Sequence, residues 1–353
     1  MIDRRKEFSG AGAVRPGYEI DAGALYDYMA AHVEGFSGPL TISQFRGGQS
    51  NPTYKLSAGG KTYVLRRKPS GDLLKSAHAV DREYRVITAL GKTDVPVPRT
   101  YALCTDDSVI GSWFYIMDFV EGRIFWDPAL PELARGQRPA IYDAMNQTIA
   151  RLHSIDITAV GLEDYGRPGN YIARQVVRWS KQYRASRAAE AASFEHLIDW
   201  LPAHIPDEDA TALSHGDFRL DNMIFHASEP RVLAVLDWEL STLGNPLSDF
   251  NYNCMAYRMP PGLFSGLAGL DLAALGIPPE EDYVAAYCRR TGREQIEHWD
   301  YYFAFNMFRL AAIAAGIMGR VRDGTAASPQ ARAMGEKAVP LADLAWRIAC
   351  GKL

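Results

Sequence analysis

Residues 213–240 contain the side chains of this chain that are best suited to hold a metal ion and to accept a proton. Two short apolar runs, which begin at Met223 and Val232, flank a polar turn and predict a β-hairpin. Polar residues lie at the outer ends of this hairpin: His215, Asp217 and Asn222 before it, and Asp237 after it. Pairing of the two strands would fold Asp237 back beside Asn222, which would bring together oxygen ligands and a free carboxylate.

The spacing His215-x-Asp217-x-x-x-x-Asn222 is typical of a catalytic loop for phosphoryl transfer. In such a loop the aspartate orients and deprotonates an attacking hydroxyl, and the asparagine holds Mg²⁺. Asp237 matches the second magnesium ligand, because Mg²⁺ takes few oxygen ligands from protein and the rest from phosphates and water. The alternative interpretation, that Asp217 and Asn222 only cap local turns, explains each residue singly but not their common spacing.

Composition indicates a soluble globular protein of two lobes or domains. The chain has 353 residues, of which 47% are hydrophobic and 23% charged, and its net charge of −4 gives no indication of a nucleic-acid or membrane-surface partner. Its 4 cysteines are widely spaced, which predicts reduced thiols. The N-terminus lacks an apolar signal segment, and the most apolar run, 310–318, is shorter than a membrane span. We therefore expect a cytoplasmic protein.

The N-terminal part is predicted to be a β-region with one main helix. Strands are expected at 42–46, 53–56, 61–67, 100–104 and 113–119, and an amphipathic helix at 78–90. The glycine-bearing turn that contains Gln49, Ser50 and Asn51 could place backbone N–H groups over phosphates. A basic residue of the third strand, Arg66 or Lys68, could face the same phosphates, and Glu83 of the helix could pair with it.

After residue 122 the pattern becomes helical, with helices expected at 139–154, 171–186, 280–291, 297–319 and 331–349. Asp249 is expected to cap or brace the catalytic loop. The helix at 171–186 has a basic face that could meet a phosphorylated substrate, although such faces are commonly only solvated. The candidate substrate residues are Arg174, Arg178 and Lys181, with Arg184 on the same helix, and Arg219 in the catalytic loop.

The motifs HGDFRLDN (215–222) and LDWE (236–239) resemble those of the aminoglycoside phosphotransferase/choline-kinase-like group of the protein-kinase fold. The similarity extends from about Ile42 through the C-terminal part. It implies an α+β, two-lobe fold. A small antiparallel β N-lobe with one main helix would cover 1–117, a hinge 118–121, and a larger, mostly helical C-lobe with the catalytic β-hairpin 122–353.

The same resemblance implies ATP and Mg²⁺ as cofactors and gives the site residues their roles. Asp217 would be the catalytic aspartate, and Asn222 and Asp237 would hold Mg²⁺. Arg66 stands where family members often have lysine, so that Lys68 remains an alternative for the phosphate contact. The residues implied in nucleotide binding are Gln49, Ser50, Asn51, Arg66, Glu83, Met117, Asp118 and Val120.

A closer similarity is to the kinase-like domain fused to acyl-CoA dehydrogenases in some eukaryotes, and to its stand-alone bacterial counterparts. The matching segments include GGQSNPTY (47–54), VLRRKPSG (64–71), GLEDYG (161–166) and VLDWELSTLGNPLSD (235–249). This similarity implies that the acceptor is the hydroxyl of an acyl-CoA, often a 4-hydroxyacyl-CoA. It also suggests an acyl-CoA dehydrogenase as a partner. The net charge leads us to expect neither a nucleic acid nor a membrane as a partner.

Three other functions remain open at this point. The acceptor could be another small hydroxyl compound, such as an aminoglycoside, choline or a sugar, although the basic helix face suits a polycation poorly. The chain could be a non-catalytic nucleotide-binding module, which only the arginine at position 66 favours. A metal-dependent hydrolase built from His215, Asp217 and His226 would need more ligands than this stretch offers.

Overall fold

Two kinds of hydrophobic period divide the chain into a sheet-containing part and a helical part. The computed structural model describes residues 10–46, 51–69, 79–186, 191–325 and 330–352. One unit, here called the sheet unit, comprises Met1–Trp126, Thr158–Leu162 and Leu220–Ser241. The other, the helical unit, comprises Asp127–Ile157, Glu163–Arg219 and Thr242–Leu353.

The sheet unit is built on a six-stranded antiparallel sheet with the strand order β1-β2-β3-β4-β6-β5. Its strands are β1 (Ala11–Gly12), β2 (Thr41–Phe45), β3 (Thr53–Ala58), β4 (Lys61–Arg67), β5 (Thr100–Cys104) and β6 (Phe114–Asp118). In β3 every second residue is buried, because successive side chains of a strand point to opposite faces. The buried face, with Tyr54 and Leu56, packs in a core with residues of the first helix such as Leu25 and Met29.

Within the described residues, the N-terminal segment of the sheet unit contains the helices α1 (Ala22–His32), α2 (Val80–Leu90) and α3 (Asp107–Ile110). Asp21 caps α1 by accepting hydrogen bonds from the N–H groups of Gly23 and Ala24. α2 has a strongly one-sided pattern that buries Glu83 together with apolar residues. The single main helix predicted for this part is therefore α2, and α1 and α3 add to it.

The predicted catalytic hairpin forms from β8 (Met223–Phe225) and β9 (Val232–Val235), which are antiparallel, with Met223 opposite Val235. It belongs to the sheet unit, whereas the sequence predicted it within a C-lobe covering 122–353. Hydrogen bonds account for this difference. Val235 N–H donates to the carbonyl of Pro96 (2.9 Å), and Arg123 and Phe225 form a β-bridge.

The helical unit contains the strands β7 (Ala212–Ser214) and β10 (Thr242–Gly244), which pair with each other, and nine helices among the described residues. The helices are α4 (Arg138–His153), α5 (Tyr171–Ser186), α6 (Ala192–Ala203), α7 (Pro246–Arg258), α8 (Leu272–Leu275), α9 (Glu280–Thr291), α10 (Trp299–Arg322), α11 (Ala331–Gly335) and α12 (Ala338–Ala349). The sequence pattern did not indicate α6, α7 or α8, and it merged α11 with α12. The short pair β7–β10 was also missed, because its strands have only three residues each.

Helix α10 is the central core helix of the helical unit. Phe305, Met307, Phe308, Ala311 and Ala312 on it are fully buried. By length and composition it is the one described helix that could also cross a membrane. Of its most apolar stretch 72% is buried inside the protein, which is the ordinary state of a core helix.

Candidate active site

The backbone that leads to Asp217 is held by a buried carboxylate in the helical unit. The N–H groups of His215 and Gly216 donate to the two oxygens of Asp249, at 2.7 and 2.8 Å. His153 Nε2 lies 3.2 Å from the same carboxylate. Burial would raise the pKa of Asp249, but the hydrogen bonds from His153 and from the loop amide hold it below its usual value. The prediction that Asp249 braces the loop is confirmed.

Asp217 itself is oriented by two side chains of the helical unit. The Tyr252 hydroxyl donates to Oδ1 at 2.7 Å, and the Arg219 guanidinium lies 2.8 Å from the same oxygen and 3.2 Å from Oδ2. Burial would raise the pKa of Asp217, yet Arg219 and Tyr252 hold it below its ordinary range. The carboxylate is 16% exposed. It is therefore charged at neutral pH and can still receive a proton.

Arg219 was predicted as a substrate residue, and the structure gives it a further task. Its side chain forms the ion pair with Asp217 while 39% of it stays exposed. Arg219 thereby tunes the charge of the predicted base. Its direct contact with a substrate stays a prediction.

In the sheet unit, Arg66 and Glu83 form the predicted ion pair, at 2.9 Å. Glu83 is 1% exposed and also accepts hydrogen bonds from Asn51 Nδ2 (2.8 Å) and the Tyr115 hydroxyl (3.1 Å). Lys68 instead lies over the ring of Trp113, 5.4 Å from its centroid. Of the two basic candidates, Arg66 is therefore the partner of Glu83.

The guanidinium of Arg66 also reaches the hairpin, where Nη2 lies 2.8 Å from Asp237 Oδ1 and 3.2 Å from Glu239 Oε2. Three carboxylates thus share one guanidinium. Burial raises the pKa of Glu83, and the charges of Asp237 and Glu239 raise it further, although Arg66 opposes the shift. The cluster has an excess of negative charge that a divalent cation would neutralise.

The hairpin brings the two predicted magnesium ligands close along its open end, as its sequence predicted. Leu236 N–H donates to the carbonyl of Asn222 at 2.8 Å, so Asp237 directly follows the residue opposite Asn222. Asp237 has a left-handed backbone (φ +64°), which aspartate tolerates better than most residues. Its side chain is 36% exposed, and its Oδ2 has no hydrogen bond to any residue within the described ranges. A carboxylate oxygen and an amide oxygen at this place suit Mg²⁺.

Three further residues predicted to bind the nucleotide, Gln49, Ser50 and Asn51, belong to the predicted glycine-bearing turn before β3. Gln49 and Ser50 lie outside the described residues. Asn51 is fully buried, and its side chain binds Glu83 rather than pointing to a phosphate. The predicted contact of Asn51 with the nucleotide therefore concerns its backbone only, because a buried amide that braces Glu83 has no free group to offer.

Of the predicted nucleotide-contact residues near the hinge, Met117 and Asp118 are the last two residues of β6, and Val120 lies just after it. Met117 lies between Val64 of β4 and Thr100 of β5, so its backbone is enclosed by neighbouring strands. The N–H of Asp118 donates to the carbonyl of Arg99 at 2.8 Å. The Val120 N–H has no such partner in the described part of the chain. Among the three predicted residues, Val120 is thus the one whose backbone donor is available to a ligand.

The basic residues of α5 divide into two pairs. Arg174 donates to the carbonyls of Gly169 and Arg167, and Arg184 pairs with Glu195 at 3.1 Å, so both have partners in the helical unit. Arg178 and Lys181 are exposed, and neither forms an ion pair with a residue that the structure describes. Arg178 lies 5.0 Å from the centroid of the Trp179 ring. The predicted anion-binding role is therefore best placed at Arg178 and Lys181.

His226, which the hydrolase alternative needs as a ligand, is used in the hairpin turn. Its Nδ1 accepts hydrogen bonds from the N–H groups of Ser228 (3.3 Å) and Glu229 (3.1 Å). Within the described ranges no three His, Cys, Asp or Glu side chains are grouped as ligands of one metal ion. The arrangement favours a turn cap at His226 over a metal ligand.

Several residues that hold the site were missed by sequence reasoning, namely His153, Tyr115, Tyr252 and Arg309. Tyr252 follows Asp249 by three positions on α7, so helical spacing could have placed both on the same face. No comparable signal marks the other three, because their partners lie far away in the sequence.

Residues 41–299 match the model of the phosphotransferase enzyme family. "Acyl-CoA dehydrogenase family member 10" of Mus musculus is 46% identical over 95% of this chain and 32% of its own length. "Probable acyl-CoA dehydrogenase IBR3" of Arabidopsis thaliana is 45% identical over 94% of this chain and 43% of its own length. The chain therefore spans less than half of these relatives.

Solved structures give the same fold. The crystal structure of a putative aminoglycoside phosphotransferase from Ralstonia eutropha JMP134 matches with a TM-score of 0.88 and 54% identity, over 94% of this chain and 99% of that one. A ternary complex of aminoglycoside phosphotransferase APH(4)-Ia with ADP and hygromycin B matches with a TM-score of 0.61 and 15% identity, over 93% and 98%. The second likeness concerns the fold alone.

The chain is thus a kinase-like phosphotransferase, with the antiparallel sheet and the helical part that this fold combines. It belongs to the phosphotransferase enzyme family, whose model covers most of its length. Its relatives include proteins named as acyl-CoA dehydrogenase family members, each of which it matches over part of that protein's length.

Replacing Arg219 by glutamine is expected to raise the pKa of Asp217, because burial then acts with less opposing charge. The measurement is a ¹³C NMR titration of aspartate carboxyl groups, with the Asp217 signal assigned from Asp217→Asn. Arg219→Lys is the control: it keeps the charge and should give a smaller rise. An unchanged or lower pKa in Arg219→Gln would show that Arg219 does not set the charge of Asp217.

Proposed function

We propose that this chain transfers the γ-phosphoryl group of ATP to the hydroxyl of an acyl-CoA, with a 4-hydroxyacyl-CoA as the expected acceptor. The observation that carries the phosphotransferase part is the charged Asp217 carboxylate, fixed by Tyr252 and Arg219 yet still partly exposed. The acceptor class is supported by the names of the relatives and by the charge of α5.

In the proposed reaction Asp217 receives the proton of the acceptor hydroxyl, while the oxygen of that hydroxyl forms a bond to the γ-phosphorus. The bond from that phosphorus to the oxygen of ADP breaks in line. A carboxylate with a lowered pKa is a weak base, but a loose transition state requires proton removal only late. Tyr252 and Arg219 keep Asp217 in one orientation, and catalysis by positioning depends on that.

Residues of the sheet unit serve the nucleotide. Asn222 and Asp237 would hold Mg²⁺, and the excess of carboxylates around Arg66 supports this assignment. Mg²⁺ would neutralise charge on the transferring phosphates. Arg66 would contact phosphate while Glu83 holds its other side, and the N–H of Val120 would serve the adenine.

The exposed cations of α5 would bind the phosphates of CoA. Arg178 and Lys181 lie on the same helix, three positions apart, so they face neighbouring surface. An aminoglycoside is a polycation and would be repelled by this face. Aminoglycosides are nevertheless the second candidate class of acceptor, because a similar solved structure is described as a putative aminoglycoside phosphotransferase.

Two further expectations accompany this proposal. We propose a reducing compartment, the cytoplasm, which fits the four cysteines, none of which forms a disulfide. We also propose that an acyl-CoA dehydrogenase acts on the phosphorylated product, because phosphate is a better leaving group than hydroxide.

The first experiment measures ADP release from ATP and Mg²⁺ across a panel of acceptors. The panel contains 3- and 4-hydroxyacyl-CoAs of several lengths, the matching free acids, choline and kanamycin. Asp217→Asn is expected to remove turnover and to leave ATP binding unchanged, because the base does not contact the nucleotide in this mechanism. A near-normal rate in Asp217→Asn would contradict its role, and turnover confined to kanamycin would contradict the proposed acceptor.

Asp237→Asn is expected to weaken binding of Mg²⁺–ADP, because a charged ligand oxygen is replaced by a neutral one. Asparagine tolerates the left-handed backbone, so the folded state should survive. Calorimetric titration with Mg²⁺–ADP and with ADP alone measures the effect. An affinity for Mg²⁺–ADP equal to that of the unchanged protein would rule Asp237 out as a metal ligand.

Arg178→Ala is expected to raise KM for the CoA acceptor by about tenfold or more, since loss of a charge-assisted contact costs about 1.5–3 kcal/mol. The KM for ATP should not change. Arg289→Ala, which removes an exposed arginine from α9, is the matched control. Equal KM values for the two variants would place the CoA phosphates elsewhere.

A further inference from the structure

We propose that Arg309 of α10 is a positioning residue that holds Asp217 in its working orientation. The inference rests on the proposed phosphotransferase function, in which Asp217 is the base. Arg309 acts through two neighbours of Asp217, the carbonyl of Gly216 and the side chain of Tyr252.

The surroundings of Arg309 are unusual for a permanent cation. It is 7% exposed and lies on a helix whose neighbouring turns, with Phe305, Phe308 and Ala312, are fully buried. It forms no ion pair with a carboxylate of any described residue. A charge is costly to bury without a partner, so a buried arginine of this kind calls for a reason.

The first contact of Arg309 is with the backbone of the catalytic loop. Its Nη2 donates to the carbonyl oxygen of Gly216 at 2.8 Å. The N–H of the same glycine donates to Asp249, so Gly216 is bound from one side by an anion and from the other by a cation. Gly216 has a left-handed backbone (φ +82°), which only glycine adopts freely, and these two bonds fix its peptide groups. The carbonyl bound by Arg309 belongs to the peptide that continues into Asp217.

The second contact is with the aromatic ring that bears the hydroxyl bound to Asp217. The Arg309 guanidinium lies 5.3 Å from the centroid of Tyr252 and 6.0 Å from that of Trp179. Cations within about 6 Å of a ring face are attracted to it. Arg309 therefore restrains the ring from which the hydroxyl donates to Asp217 Oδ1 at 2.7 Å.

These two contacts converge on one result. The backbone before Asp217 and the carboxylate of Asp217 are both restrained by groups that Arg309 holds. A small displacement of a reacting group can lower the rate of an enzyme about a hundredfold. Removal of Arg309 should therefore lower kcat and leave the binding of nucleotide unchanged.

The experiment compares Arg309→Met and Arg309→Lys with the unchanged protein. Arg309→Met should lower kcat about a hundredfold, with KM for ATP changed less than twofold. Arg309→Lys keeps a charged donor but not the planar guanidinium, and should recover only part of that loss. Arg322→Met is the matched control, because Arg322 lies on the same helix and also donates to a carbonyl, that of Ser186. An unchanged kcat in Arg309→Met would overturn the proposal.

A double-mutant cycle tests whether Arg309 acts through Tyr252. Tyr252→Phe keeps the ring and removes the hydroxyl, so the loss caused by Arg309→Lys should be smaller in the Tyr252→Phe background. Fully additive losses would overturn this route. The cycle uses Arg309→Lys, which keeps the buried charge and its donor. It can therefore be measured even if Arg309→Met does not fold.

Hydrogen exchange separates failure of this inference from failure of the proposed function, because it needs no acceptor. In Arg309→Met and Arg309→Lys, exchange should rise in peptides that cover 213–218 and stay unchanged in those that cover α6. Faster exchange throughout the helical unit would mean a general loss of stability, and unchanged exchange at 213–218 would mean no positioning role. Either result overturns the proposal, even if no acceptor in the panel is phosphorylated.

Discussion

The hydrogen bonds of Asp249 with two successive backbone amides are the interaction on which the catalytic loop depends. The carboxylate is buried, and the loop amides of His215 and Gly216 occupy both of its oxygens. His153 Nε2 lies 3.2 Å from the same carboxylate, and the other ring nitrogen of His153 lies 2.7 Å from the hydroxyl of Tyr287. A buried donor without a partner costs about 1–3 kcal/mol, so each element of this chain of contacts restrains the next. The orientation of Asp217 is therefore set in the core of the helical unit.

Arg66 plays a corresponding part in the sheet unit and explains why arginine is suitable there. Its Nε faces Glu83, and its Nη2 faces Asp237 and Glu239. A lysine has a single ammonium group and could not meet carboxylates on two sides in the same way, because only the guanidinium spreads its donors over a rigid plane. Arg66 stands where family members often have lysine, and the carboxylates around it bind the guanidinium on two sides.

The sequence was sufficient where the signal was local. The hairpin and the brace at Asp249 were predicted from hydrophobic period and from residue type near the motif, and the partner of Glu83 was narrowed to Arg66 or Lys68. It was insufficient where partners are remote. Arg309 and Gly216 are separated by 93 positions, which no single-sequence pattern connects. Tyr115 of β6 lies opposite Arg66 of β4 and donates to Glu83, the partner of Arg66, and this strand pairing is likewise not specified by a local pattern. The buried state of Asn51 was missed for the same reason, since its residue type is common in exposed turns.

The assignment of Leu220–Ser241 to the sheet unit has a consequence for synthesis of the chain. The N-terminal 126 residues leave the ribosome before the hairpin that completes their unit exists. At about 5–20 residues per second, the interval is on the order of ten seconds. During that time the carbonyl of Pro96 and the backbone of Arg123 lack the strands that bind them in the folded protein. A fragment that ends at residue 126 would therefore lack the hairpin that completes the sheet unit.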